Sequence, residues 1–506
     1  MLKKISVLAL AGMLALPAVA AAGAGGAASG LDAQIAELTK QLEALKAQMN
    51  SMKKDQDAKL ASIDERAEGW DAASRFQWSG DFRSRYDYYE RDRIANNVTV
   101  TDKNEGLFTN RLRLNIRAKA TENVEFKGRL AMYKAWGMQS TPGMPNNSFG
   151  NPEAWGGFPA FDGTSSRQVS DNTLLVDRAF VNWNNIGGAP VWFSIGRRPT
   201  TDGPSAQLRM NNDERMATPT AFMDWPFDGI SVGYAYNNLL GVTDAPGRIR
   251  VCYGRGFDGG LQQDATGTND TDFAGVSWDL YKKGSRFFYL QSFGAFNVFN
   301  FPDWADGSPA PGWGYTDGTR INRGNIYHTS AVYEDKYQNL NYFVTGGWSQ
   351  TDPNSNGMLN NYDGMGTYSV ANTSTEDGYA IHLGVRYDIP NQPFKVGAEY
   401  NHGSRYWIGM TPGHDDMYAA KLATRGDVYE VYGIYDIPGG EAISKYGKAF
   451  IRLGYQHYEY DYTGSMDWNV KPYDVDSAAE RALAANAGQN VIESADQVYA
   501  TFEVYF

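Results

Sequence analysis

Few residues of this chain are equipped for covalent chemistry. One cysteine, Cys252, allows neither an internal disulfide nor a thiolate metal cluster, and five histidines in 506 residues leave little for a transition-metal centre. The run Asn401-His402-Gly403-Ser404 sets a histidine near a serine, the pair that acyl transfer uses. On a strand, however, His402 falls on the apolar face with Tyr400, so no enzyme activity is expected there. No metal or cofactor is expected either, since the loop carboxylates never follow the ligand order of a calcium loop.

The chemistry in this sequence is ionic. Arg83, Arg85, Arg111, Arg113, Arg117, Lys119, Lys127 and Arg129 recur at alternate positions of three consecutive segments. On strands, that spacing puts them all on one side, and a basic surface enclosing water focuses field and favours anions. Asp81, Asp87 and Glu125 stand close enough in sequence to pair with them, which would make the surface scaffolding instead. A second concentration, Arg197, Arg198, Asp202, Arg209, Asp213, Glu214 and Arg215, sits in a segment fixed by Pro199 and Pro204. Mixed charge and fixed turns suit a loop folded into a channel as its constriction, against the alternative of an ordinary surface loop.

Strands must position these residues. In Phe76–Tyr88 the apolar and aromatic residues take the even positions, and Gln77, Asp81, Arg83, Arg85 and Asp87 the odd ones. A strand sorts those sets onto opposite faces and a helix cannot. Leu112, Leu114, Ile116 and Ala118 alternate with arginines in the same way, and after the turn Thr121-Glu122-Asn123 so do Phe126, Leu130 and Met132. Sixteen such segments are read near residues 75–89, 107–120, 124–135, 173–184, 190–198, 228–237, 247–256, 272–282, 286–298, 325–335, 338–350, 378–389, 394–404, 426–436, 447–461 and 495–506.

Short links, among them 121–123, 185–188, 283–285, 335–337 and 390–393, alternate with long ones near 90–106, 136–172, 199–227, 299–324, 351–377, 405–425 and 462–494. Short periplasmic turns and long outer loops mark a transmembrane β-barrel, and an even strand count returns both ends to the periplasm. The mean hydropathy of -0.49 does not oppose this, because only every second barrel residue meets lipid. The 32 tyrosines and 13 tryptophans suit aromatic girdles at the two lipid–water boundaries.

Ahead of the barrel, Lys3 and Lys4, an apolar run from Ile5 to Leu16, and Ala18-Val19-Ala20 have the layout of a signal peptide over residues 1–20. Losing the two lysines takes the formal charge from -12 to -14, which excludes a broadly basic nucleic-acid binder. Leu31, Ile35, Leu38, Leu42, Leu45, Met49 and Met52 then step by four and three, a heptad seam. Residues 21–70 are therefore expected to be a periplasmic coiled coil that joins copies of the chain, with a trimer as the working assumption. The barrel is expected over 75–506. Its last strand puts Val498, Ala500, Phe502, Val504 and Phe506 on one face, and a terminal Phe506 is expected to serve as the signal to the barrel assembly machinery.

Thr109-Asn110-Arg111-Leu112-Arg113-Leu114, Lys127-Gly128-Arg129-Leu130, Gly196-Arg197 with Thr201-Asp202-Gly203-Pro204, and His402-Gly403-Ser404-Arg405-Tyr406-Trp407 followed by Lys421-Leu422-Ala423-Thr424-Arg425-Gly426 carry a family likeness. They resemble an uncharacterised porin-like outer-membrane family of Gram-negative bacteria, known only as a domain of unknown function. The resemblance implies fold and location over nearly the whole barrel and names no cargo. A coiled coil before sixteen strands is also similar to phosphate-selective porins, but their lysine-rich constriction loop is absent and arginine predominates. The expected function is diffusion of small hydrophilic solutes, with a preference for anions, through an outer-membrane pore. The alternative is a docking barrel that sheathes a partner such as a cytochrome or tethers the envelope.

Overall fold

The computed structural model describes residues 36–54, 57, 75–95, 97–137, 172–198, 203–212, 219–223, 227–236, 247–260, 269–299, 321–362, 368–411, 418–439, 447–486, 489 and 491–506. The chain divides into two units, Met1–Ser74 and Arg75–Phe506. In the first, residues 36–54 form a helix with Leu38, Leu42, Leu45, Met49 and Met52 exposed along it. The expected signal peptide and both ends of the expected coiled coil lie outside the described residues.

In the second unit the strands are β1 (Phe76–Ala95), β2 (Val98–Lys119), β3 (Val124–Ala135), β4 (Leu175–Trp183), β5 (Val191–Arg198), β6 (Phe227–Tyr236), β7 (Gly247–Phe257), β8 (Thr271–Lys283) and β9 (Arg286–Phe299). They continue as β10 (Asn322–Tyr337), β11 (Leu340–Pro353), β12 (Asn361–Tyr362), β13 (Tyr368–Val370), β14 (Asp377–Asp388), β15 (Phe394–Gly403), β16 (Gly426–Asp436), β17 (Lys448–Tyr460) and β18 (Val491–Tyr505). All but β12 and β13, which pair with each other, close into one barrel of sixteen antiparallel strands, each bonded to its neighbour in sequence. No described helix is long and apolar enough to cross a membrane.

Alternation decides which side chains fill the barrel. On β1 and β2, Asp81, Arg83, Arg85, Asp87, Arg111 and Arg113 are buried while Phe76, Trp78 and Phe108 are exposed. The same sorting exposes Val251 and Tyr253 on β7, Val344 and Trp348 on β11, Val431 and Tyr429 on β16, and Val498 and Phe502 on β18. Along these strands the outer surface is thus apolar and aromatic, and the ionic groups of β1 and β2 from Asp81 to Arg113 point inward.

The seam between first and last strands runs from Asp81 opposite Tyr505 to Ile94 opposite Val491. It ends in a reciprocal pair, Gly80 N donating to Phe506 O at 2.8 Å and Phe506 N to Gly80 O at 3.0 Å. Gly80 allows this close approach. A Cβ there would stand 2.7 Å from the Phe506 ring and 2.8 Å from the Arg113 carbonyl.

The strand boundaries differ from the expected ones where periodicity loses its apolar half. The expected long link at 90–106 is in fact the continuation of β1 and β2, paired from Tyr89–Asn104 to Ala95–Val98. Its alternation is ionic, with Glu90–Lys103 at 3.0 Å and Arg93–Asp102 at 2.8 Å, so the lipid-facing signal vanishes while the strand persists. In addition β18 begins at Val491 rather than 495 and β10 at Asn322 rather than 325. The turn expected at 335–337 is at Gln338-Asn339, where Gln338 takes the left-handed backbone conformation. A further long connection joins β7 to β8.

Candidate functional site: a barrel interior crossed by its third outer connection

Residues 203–212 leave β5 and pass into the barrel, with Ala206–Arg209 forming one helical turn. Every residue from Ser205 to Asn212 is buried. Their partners are inward side chains of the facing strands, β10 to β17. Gln207 Nε2 donates to Glu334 at 2.5 Å, Arg386 donates to the Leu208 carbonyl at 3.0 Å, and Arg452 to the Arg209 carbonyl at 2.6 Å. Farther along, Asn211 donates to Asp436 at 2.6 Å and accepts from Lys395 at 2.6 Å. Ser205 meets Thr345 and His382 at mid-strand, whereas Lys395, Asp436 and Lys448 stand at one end of their strands, so the segment runs from the middle of the interior to that end.

One charged cluster anchors it. Arg209 pairs with Glu430 at 3.0 Å, and Lys421, from the connection after β15, bonds both Glu430 and Glu399 at 2.5 Å. Gln456 Nε2 at 3.1 Å and Tyr499 OH at 2.6 Å also donate to Glu430, and His382 lies 3.0 Å from Glu399. All these groups are buried, so each charge depends on the others.

Above this cluster three more connections fold inward. Trp407, Ile408, Met410, Met358, Leu359, Met466 and Trp468 are buried, and Phe222 meets Trp407 edge to face at 5.0 Å. Arg425 stitches two connections by donating to the carbonyls of Trp407 at 3.0 Å, Gly464 at 2.7 Å and Asp467 at 2.6 Å. Burial pushes the Asp467 carboxyl up to about 7 and the Arg425 guanidinium down to about 10. His328, on β10, stacks on Phe293 and meets the tilted Trp407 ring at 5.2 Å, and among the described residues neither ring nitrogen has a hydrogen-bond partner.

The opposite side of the interior carries the arginines. Arg111 and Arg113 share Asp81 at 2.9 and 2.7 Å, Arg85 meets Asp87 at 2.7 Å, and Arg117 and Lys127 share Glu125 at 2.6 and 2.7 Å. Arg129 pairs with Asp177, and Glu503 takes Arg452 at 3.1 Å and Arg111 at 3.5 Å, with Arg83 beside it in register. On this wall, among the described residues, Arg83, Arg85, Arg111, Arg113, Arg117, Lys127 and Arg129 share five carboxylates, of which Glu503 also takes Arg452 of the facing wall, and positive charge is in surplus.

A family described as "Protein of unknown function (DUF3373)" matches residues 101–506. The chain belongs to that family. Solved structures similar to this DUF3373 barrel include OmpT of Vibrio cholerae in its trimer form, 12% identical, spanning 85% of this chain and 99% of that one, with a TM-score of 0.40. A loop L8 deletion mutant of the same protein is 11% identical over 85% and 99%, with a TM-score of 0.41. Salmonella typhi OmpF in complex with daunomycin is 9% identical over 85% and 97%, with a TM-score of 0.40. No curated protein matches the chain.

In the DUF3373 barrel several expected site residues take unexpected places. Arg197 is not in the interior. Consecutive strand residues face opposite ways, so with Arg198 opposite the buried Phe227, Arg197 lies opposite the exposed Asp228, 3.6 Å from its carboxylate. Lys119 ends β2 beside a turn and is exposed. Asp202, Asp213, Glu214 and Arg215 lie outside the described residues. Ser404 Oγ accepts the Tyr379 amide at 2.9 Å while His402 Nδ1 lies 2.9 Å from Asp427, and among the described residues no bond joins His402 to Ser404. Sequence reasoning missed Glu399, Lys421, Glu430 and Arg425. Two basic residues within Lys421–Arg425, in an otherwise small-residue stretch, were the available sign.

Proposed function

We propose that this chain is an outer-membrane porin, passing small hydrophilic solutes with a preference for anions through an interior narrowed by the connection at 199–226. The observation that carries the reading is the buried course of residues 203–212, bonded to the facing wall from β10 to β17. A segment held at both its charged and its neutral positions divides the interior and leaves the arginine side as the route. The surplus of guanidinium over carboxylate there supports anion preference, because a confined low-dielectric passage strengthens fixed charge. Reading the barrel as a sheath for a partner protein requires the interior space that residues 203–212 occupy.

Planar-bilayer recording of the purified protein in a potassium chloride gradient tests this. Discrete open levels with a reversal potential on the chloride side are expected. A reversal potential on the potassium side would overturn the anion preference, and absence of conductance would overturn the pore.

In this reading the signal peptide directs export, the barrel sits in the outer membrane, and the helix at 36–54 lies in the periplasm. Leu38, Leu42, Leu45, Met49 and Met52, exposed on one chain, are the seam by which copies associate. Changing Leu42→Asp together with Leu45→Asp is expected to lower the mass of the full-length protein in detergent to that of one chain. A wild-type protein that already sediments as a monomer would remove the coiled-coil assignment.

A further inference from the structure

We propose that the inner surface of β5, β6 and β7 holds a binding step for a small oxyanion, formed by Arg198 with the hydroxyls of Ser194 and Ser231. The idea deepens the pore reading by naming a solute class, and rests on it only for the route by which the anion arrives.

Ser194 and Ser231 are register partners across β5 and β6, at 0% and 1% exposure, and among the described residues neither Oγ has a hydrogen-bond partner. A buried hydroxyl can rotate to find an acceptor, and two adjacent ones that find none disfavour the empty fold. Arg198 extends along the same inner face. Its Nη1 is buried without a partner, and among the described residues no carboxylate lies within salt-bridge distance of it. Its guanidinium lies over the Phe180 ring at 5.7 Å, on the Ser194 side of the strand, and is in electrostatic reach of the Cys252 thiol and of Arg250. Arg250 donates its Nε to Ser277 and an Nη to Tyr289 at 3.4 Å, with Asp279 also in electrostatic reach.

The arrangement gathers hydrogen-bond donors and positive charge and supplies no acceptor to Arg198. The missing complement is a group with negative charge and at least two acceptor oxygens. A halide offers charge without the spread of lone pairs, so the site should distinguish phosphate or acetate from chloride.

The chain carries its own reporter. Cys252 is the register partner of Ser231 on β7, on the inner face, with a free thiol. In the full-length protein in detergent, inorganic phosphate and acetate, tested separately, identify which oxyanion is held. The effective one should slow modification of Cys252 by a neutral thiol reagent at least several-fold and saturably, while chloride at equal ionic strength should not. Arg198→Ala should abolish the protection, and Ser194→Ala with Ser231→Ala should weaken it. Calorimetric titration of the same two anions gives a readout that needs neither thiol nor current. Equal modification rates in all three salts with no calorimetric binding, or full protection persisting in Arg198→Ala, would overturn the proposal. A conducting channel without protection would spare the pore and remove the site, whereas protection in a silent barrel would do the reverse.

Discussion

Glu430→Ala is expected to raise single-channel conductance several-fold and to lower the unfolding midpoint of the barrel. Glu430 is the acceptor on which Arg209, Lys421, Gln456 and Tyr499 converge, and its side chain is fully buried. Breaking a buried ion pair from one side leaves a charge without compensation, at a cost of about 3–5 kcal/mol. Lys421 keeps Glu399, so the larger penalty falls on Arg209 and on the crossing segment that carries it. The segment is expected to leave the wall, widening the passage and adding current noise as it moves. Glu430→Gln keeps the shape and some hydrogen bonds and should show a smaller change in the same direction. Unaltered conductance in Glu430→Ala would mean that residues 203–212 do not limit the flow.

Removing Phe506 is expected to reduce the barrel recovered in the outer membrane by about an order of magnitude, on the reasoning that loss of about 1 kcal/mol per hydrogen bond at a seam closure compounds with loss of a recognition side chain. The deletion abolishes both backbone bonds to Gly80 and the ring that covers it. Gly80→Val separates the two effects. It leaves Phe506 available to the assembly machinery but sets a side chain against the Phe506 ring and the Arg113 carbonyl, so it should impair heat resistance of the closed barrel more than delivery. Membrane fractionation together with heat-shifted gel mobility distinguishes them. Full recovery of a protein lacking Phe506 would dismiss its role as an assembly signal.

The barrel was legible because lipid and enclosed water impose opposite demands on neighbouring residues. Where both demands held, as in β2 and β3, strand positions were readable from Leu112, Leu114 and their intervening arginines. Where the outer face left the apolar zone, as at Glu90 and Lys103, the same backbone looked like a loop. Arg197 and Arg198 show a different limit: as adjacent residues they read as one basic site, yet strand geometry sends one to each side. The inward course of the connection at 199–226 was suggested by its prolines and mixed charge, but its partners were not. Glu334, Arg386, Glu430 and Arg452 come from strands more than a hundred residues away, a relation that no local period encodes.

The packing of Phe222, Trp407 and Trp468 inside the ring has a bearing on biogenesis. Trp468 Nε1 reaches the Phe299 carbonyl at 2.8 Å, and Phe222 meets the Trp407 ring at 5.0 Å, contacts between connections far apart in the sequence. Contacts this distant in sequence form late, because the chain between them must be ordered first. The seam between first and last staves joins residues farther apart still, so closure of the cylinder and the settling of its stuffing both wait until the whole chain is in place.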